Sequence, residues 1–148
     1  MRRTLSLAVL AAALMAGTAI AQEDVIKLRQ RLMDVNGQAA GVAVGMIRGN
    51  IPFDAVVAAA AAKSIAADNE VFPDLFPAGS DKDDGEAKTK AAPEIWSDNA
   101  GFRAISAKMV QDANAAAAAA ANGKDAFATA FNAVGQNCGG CHQKYRIR

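Results

Sequence analysis

Both cysteines and the single histidine of this 148-residue chain fall within five consecutive positions, Cys138, Cys141 and His142 in the stretch CGGCH. Two thiols three residues apart can close a disulfide, cycle as a dithiol redox pair, hold a metal ion or take a covalent haem. A structural zinc site normally needs four ligands, and this stretch offers three on about one helical turn. A thioredoxin-like pair belongs at a helix start after a strand, a setting that nothing around residue 138 supplies. The C-x-x-C-H pattern of haem attachment uses every residue present. On a helix Cys138 and Cys141 lie one turn apart on one face, so both sulfurs can form thioethers along one porphyrin edge. His142, beside that face, can offer a ring nitrogen to the iron. The reading is one haem c, covalent through two thioethers, with a haem-free dithiol protein as the rival.

The rest of the chain must position that stretch. About half of the residues are apolar, which suits one globular domain. The first residues, MRRTLSLAVLAAALMAGTAIAQ, read as a secretory signal: Arg2 and Arg3, an apolar run, then Ala19-Ile20-Ala21 as a cleavage site. The apolar run is shorter than the ~20 residues that span a bilayer, so no stable membrane anchor is expected. Residues 1–21 are thus a leader, residues 22–148 a single domain, and the expected location is the periplasm. The chain has 16 basic and 15 acidic residues, and without Arg2 and Arg3 it carries one net negative charge. No nucleic-acid partner follows from that balance.

Val25, Leu28, Leu32, Val35, Ala39, Val42 and Met46 recur at steps of three and four, which predicts a helix with a buried stripe. It should stop near Gly49, and Asp54 can cap a second, antiparallel helix through AVVAAAAAKSIAA. Periodicity is lost between Asp68 and Pro93, a long connection anchored by Phe72, Leu75 and Phe76. A third helix starts at Pro93 with Ile95, Phe102, Ile105 and Met109 on one face and runs through seven alanines to Ala121. After NGKD a fourth carries Phe127, Phe131, Val134, Cys138, Cys141 and Tyr145. Four helices and no convincing strand predict an all-α bundle.

A haem motif on the last of four helices, with VIKLRQRLM at 25–33, GNIPFD at 49–54, LFPAG at 75–79, PEIW at 93–96 and CGGCHQKYR at 138–146, resembles the class II cytochromes c. These are the cytochrome c′ family and its low-spin relatives, and the matching pieces span essentially the whole chain after the leader. The resemblance implies an antiparallel up-down-up-down four-helix bundle, the haem lying near the C-terminal helix. It also implies that Met33 faces the iron from the first helix. In low-spin members a methionine there closes the sixth position; in cytochrome c′ proper the residue does not ligate and the open iron takes nitric oxide or carbon monoxide. A thioether is a competent soft ligand and also a flexible core filler. The reading carried forward is an electron carrier with His142 proximal and Met33 distal, and the alternative is a five-coordinate gas-binding module.

By the same resemblance Arg29 approaches a haem propionate, which a bidentate guanidinium suits, and Arg146 shields the proximal side. Redox proteins are the expected partners, and a homodimer through the first helices is a further implication, in keeping with the row Gly37, Gly41, Gly45. No catalytic acid, base or nucleophile is visible near the motif, so no enzymatic activity is expected.

Overall fold

The structure is a computed structural model that describes side chains from Asp24 to Arg148; the expected leader lies outside these residues. Four long helices, α1 (Arg2–Ile47), α2 (Ala55–Val71), α4 (Asn99–Ala119) and α5 (Lys124–Tyr145), pack in sequence, with a one-turn helix α3 (Glu94–Ser97) before α4. Among the described residues the only β-type pairings are the isolated bridges Asp84 to Ala87 and Ala91 to Arg146. No helix among them is long and apolar enough to cross a membrane.

Local chemistry sets the helix ends. At the end of α1 the amide of Gly49 donates to Met46 O at 3.1 Å and that of Asn50 to Gly45 O at 2.9 Å. This closure places Gly49 at φ +77°, a conformation that glycine adopts without a Cβ penalty. Asp54 caps α2 as expected, its Oδ1 accepting from the amides of Val56 at 2.8 Å and Val57 at 2.9 Å. The connection starts later than its composition suggests, because α2 continues to Val71 and a 3-10 turn follows over Phe72–Leu75.

The third helix departs from expectation: Asp98 interrupts it at φ −123°, ψ 52° and caps α4 by accepting from the Gly101 amide at 3.3 Å. An Asp side chain competes with the helix for backbone donors, so one periodic stretch becomes two elements. Tyr145 Oη also donates to Asp98 Oδ2 at 2.8 Å, and Lys144 Nζ joins the same carboxylate. These bonds tie the last turn of α5 to the start of α4. Gly101 makes room for them, since a Cβ there would stand 2.6 Å from Tyr145 Oη.

Two apolar clusters result. The larger joins Met46, Ile65, Met109, Phe127, Phe131 and Val134, with buried alanines such as Ala58 and Ala62 of α2 and Ala113 and Ala116 of α4. The alanine-rich runs therefore form a close-packed seam. The smaller is aromatic: Phe102 stacks edge-on to Phe76 at 5.0 Å and to Tyr145 at 5.2 Å, with Phe72 and Ile95 beside them.

The stripe expected on α1 is corrected. Leu28, Val35 and Val42 are 43, 42 and 37% exposed, whereas Ile26, Arg29, Ala43 and Met46 are buried. Two apolar rows run side by side on this helix, and the inward one contains an arginine and small residues that hydrophobicity alone does not single out.

Candidate functional site

Between the two clusters lies a cavity of about 850 Å³, walled by α1, α2, α4, α5 and residues 88–91 of the connection. Cofactor and ligand sites span roughly 300–1,000 Å³. Every residue singled out from the sequence lines it: Cys138, Cys141, His142, Arg146, Met33 and Arg29.

Helix α5 carries the thiols because Phe127, Phe131, Val134 and Tyr145 bury its inner face and aim the intervening turn at the cavity. Cys138 packs against the larger cluster and Cys141 against the aromatic one, so the pair straddles the opening between them. Burial raises the pKa of Cys138, and burial followed by the neighbouring Cys138 pushes that of Cys141 up to about 11. Such thiols are largely protonated at neutral pH, the reverse of what a dithiol exchanger or a thiolate metal site needs. His142 sits exposed at the lip, yet the wall strips part of its hydration; this, and then the charge of Arg146, lowers its pKa. The imidazole is thus favoured in its neutral form, with a lone pair to donate.

Arg146 is held at the mouth by the bridge to Ala91 and by the next residue, whose amide donates to Lys90 O at 2.8 Å. That pairing draws the C-terminal residues alongside Lys88 and Lys90, two cations at the cavity that sequence reasoning missed because they lie in an aperiodic stretch.

Arg29 is 5% exposed and its guanidinium lies 4.4 Å from the Phe76 ring centroid. Nη1 donates to Ser80 Oγ at 2.9 Å and to Leu75 O at 3.4 Å; Nη2 donates to Ser80 O at 2.9 Å and to Thr89 Oγ1 at 3.2 Å. Its fork is therefore engaged by the connection, and Nε–H is what remains for another acceptor. Burial lowers its pKa to about 10, which leaves it cationic at neutral pH.

Met33 is partly buried beside the aromatic cluster and lines the cavity from α1, on a different helix from His142. One turn further, a Cβ on Gly37 would meet nothing within 4 Å, so the backbone there can be approached closely. Asn36, on the same wall, has both carboxamide atoms buried with no hydrogen-bond partner among the described residues. Sequence reasoning passed over it, though its place one turn from Met33 on the cavity side of α1 was a usable signal. Adjacent thiols, a neutral imidazole, a mostly apolar wall with a cationic mouth and an orphaned buried amide together fit a haem, apolar in its ring and anionic at its propionates.

Comparison with known proteins agrees. A family model described as cytochrome C′ matches residues 24–146. The chain is 36% identical over 146 residues to cytochrome c-556 of Agrobacterium fabrum, covering 99% of this chain and 96% of that one. It is 38% identical over 136 residues to cytochrome c′ of Rhodopseudomonas palustris, covering 89% and 88%. The crystal structure of cytochrome c′ from Thermochromatium tepidum superposes with a TM-score of 0.79 at 32% identity, over 86% of this chain and 97% of that one. With a C-x-x-C-H motif on its last helix and a four-helix bundle around the cavity, the chain is a haem c cytochrome and belongs to the cytochrome c′ family.

Proposed function

We propose that this protein is a periplasmic electron carrier in which Cys138 and Cys141 hold the haem by thioethers, His142 is the proximal ligand and Met33 the distal one. Residues 1–21 are the leader, and 22–148 form the mature domain. The observation that carries the reading is that Met33 and His142 line one cavity from two different helices, α1 and α5. Met109 also reaches the cavity but is 6% exposed and packed in the larger cluster, a core position rather than a ligand's. When bound, the haem supplies the one-electron ferric/ferrous couple. The chain's own residues exclude water with the Phe72, Phe76 and Phe102 wall, and place Arg146 and Lys90, with the Asp83-paired Lys88, at the mouth, where their charge would oppose that of haem carboxylates. Arg29 contributes through Nε and through its charge, not through a free fork.

Redox proteins are the partners of such a carrier. The exposed row Leu28, Val35, Val42 repeats every seven residues along α1, the seam a second copy's α1 would cover, which supports a homodimer through the first helices.

Relatives of comparable identity bear both names, c-556 and c′, so the choice between electron carrier and gas binder rests on Met33 itself. Carbon monoxide binding to the reduced protein tests it. With Met33 as ligand, wild type binds slowly, limited by loss of the thioether, and Met33→Ala binds in a fast second-order step. Equal, fast binding by both would assign the protein to the five-coordinate form that takes nitric oxide and carbon monoxide.

A further inference from the structure

The turn that bears the motif is intrinsically the weakest part of α5. Gly139 and Gly140 precede Cys141 and His142, and each glycine costs a helix roughly 1 kcal/mol relative to alanine. A Cβ on Gly140 would stand 3.4 Å from Ile105 Cδ1, so close packing accounts for one of the pair; on Gly139 it would meet nothing within 4 Å. The helix then ends at Tyr145, one turn after His142. Helix ends fray, and a turn set between two glycines and a terminus has little of its own to resist that.

The ring of His142 has no local restraint either. A metal-bound imidazole commonly donates its second ring N–H to a carboxylate or carbonyl, which fixes the ring's orientation. The exposed His142 has no hydrogen-bond partner among the described residues, and the charge that acts on it, that of Arg146, belongs to a group without an acceptor atom. What orients this imidazole is therefore what holds the backbone of the last turn.

The ties on that turn converge on residues 144–147. Tyr145 O accepts from the Ala92 amide at 3.1 Å and the Ile147 amide donates to Lys90 O at 2.8 Å, but both partners belong to the aperiodic connection. The tie to a neighbouring helix is Asp98. Its Oδ1 accepts from the Gly101 amide at 3.3 Å and so caps α4, while its Oδ2 accepts from Tyr145 Oη at 2.8 Å and from Lys144 Nζ. One carboxylate thus serves α4 with one oxygen and α5 with the other.

We propose that Asp98 is a positioning residue for the proximal ligand, acting through Tyr145 and Lys144 to fix the direction in which His142 presents its ring nitrogen. The inference rests on the reading of His142 as the iron's proximal ligand. Residues three apart share a helix face, so pinning Tyr145 fixes the height and rotation of His142. An imidazole held in one direction is a better donor than one that rocks, and a better donor favours ferric iron over ferrous.

The test uses haem-loaded Asp98→Ser and Tyr145→Phe. Serine keeps an oxygen for the Gly101 amide but is too short to serve α5, and phenylalanine keeps the ring packed on Phe102 while removing only the hydroxyl. Both variants should speed amide exchange at residues 142–145 by at least about tenfold, with residues 127–134 unchanged, as loss of a hydrogen bond to a charged group implies. Both should also raise the reduction potential. Faster exchange at an unchanged potential would make the tie merely structural and overturn the proposal, as would wild-type exchange rates in both variants. A potential shift in Asp98→Ser alone reports the lost charge and likewise overturns it. Tyr145→Phe changes no charge and decides the matter if the serine variant fails to load haem. His142 is the single histidine of the chain, so ferric wild type without imidazole nitrogen couplings in pulsed electron paramagnetic resonance would overturn the ligand assignment itself, and this inference with it.

Discussion

Arg29 holds Ser80 twice, through the Ser80 hydroxyl from Nη1 and the Ser80 carbonyl from Nη2, each at 2.9 Å, the two residues standing 51 positions apart in the chain. Ser80 is fully buried, so this fork joins α1 to the connection that closes one side of the cavity. Hydrogen bonds to a charged donor contribute roughly 1.5–3 kcal/mol each, and removing the donor leaves buried acceptors unsatisfied. Arg29→Leu should therefore cost about 2–4 kcal/mol of stability, and Ser80→Ala about 1 kcal/mol. Urea unfolding of the loaded protein checks both; two variants within 0.5 kcal/mol of wild type would show, roughly, a clamp without weight.

A second tie has a pH signature. Hydrogen bonds from Lys144 and then Tyr145, with the Gly101 amide, hold the Asp98 carboxyl below its ordinary pKa, and Asp98 in turn raises that of Lys144. A depressed carboxylate stabilises the fold above its unfolded pKa and loses that contribution as the pH falls through its folded pKa. For Lys144 the contribution is complete below its unfolded pKa and disappears as the pH rises through the raised folded value. The melting temperature should thus fall below about pH 4, and Asp98→Asn should flatten that acid limb. An acid limb of the same depth in the variant would remove Asp98 from the account.

These two ties also mark how far the sequence could be read. Cys138, Cys141 and His142 were legible because their pattern is local and the chemistry it serves needs no distant partner. The Asp54 cap and the Gly49 stop were legible for the same reason. Arg29 lines the cavity, but the engagement of its fork by Ser80 and Thr89 depends on a connection without periodicity. The inward face of α1 was misassigned because Leu28, Val35 and Val42 are more hydrophobic than the arginine and small residues that turn inward. Asp98, an ordinary charged residue in a helical pattern, caps α4 and also receives Lys144 and Tyr145 from 46 and 47 residues away, contacts that no local pattern announces.

The outer face of α1 makes a prediction about assembly. A Cβ on Gly41 would meet nothing within 4 Å in this chain. In a monomer Gly41→Ala should therefore stabilise by about 1 kcal/mol through helix propensity. In a homodimer packed through α1, Gly41→Leu should lower the mass measured by light scattering. An unchanged dimer mass in the leucine variant would place the interface elsewhere.

The protonated thiols predict the behaviour of haem-free protein. With Cys141 pushed up to about 11, iodoacetamide at pH 8 should modify it at least ~10-fold more slowly than the same cysteine in unfolded chain. Cys138→Ser with Cys141→Ser should leave no haem stain after denaturing electrophoresis. A stain that survives in the double variant would mean attachment through another residue.

The assignment of Met33 to the iron is the centre of the functional reading, and the near-infrared magnetic circular dichroism of the oxidised, loaded protein at neutral pH tests it most directly. With Met33 and His142 as the axial pair, the ferric protein is low-spin and shows a weak sulfur-to-iron charge-transfer band, which Met33→Ala abolishes. A high-spin wild-type spectrum without that band would contradict the account and leave a five-coordinate, gas-binding cytochrome c′ in its place.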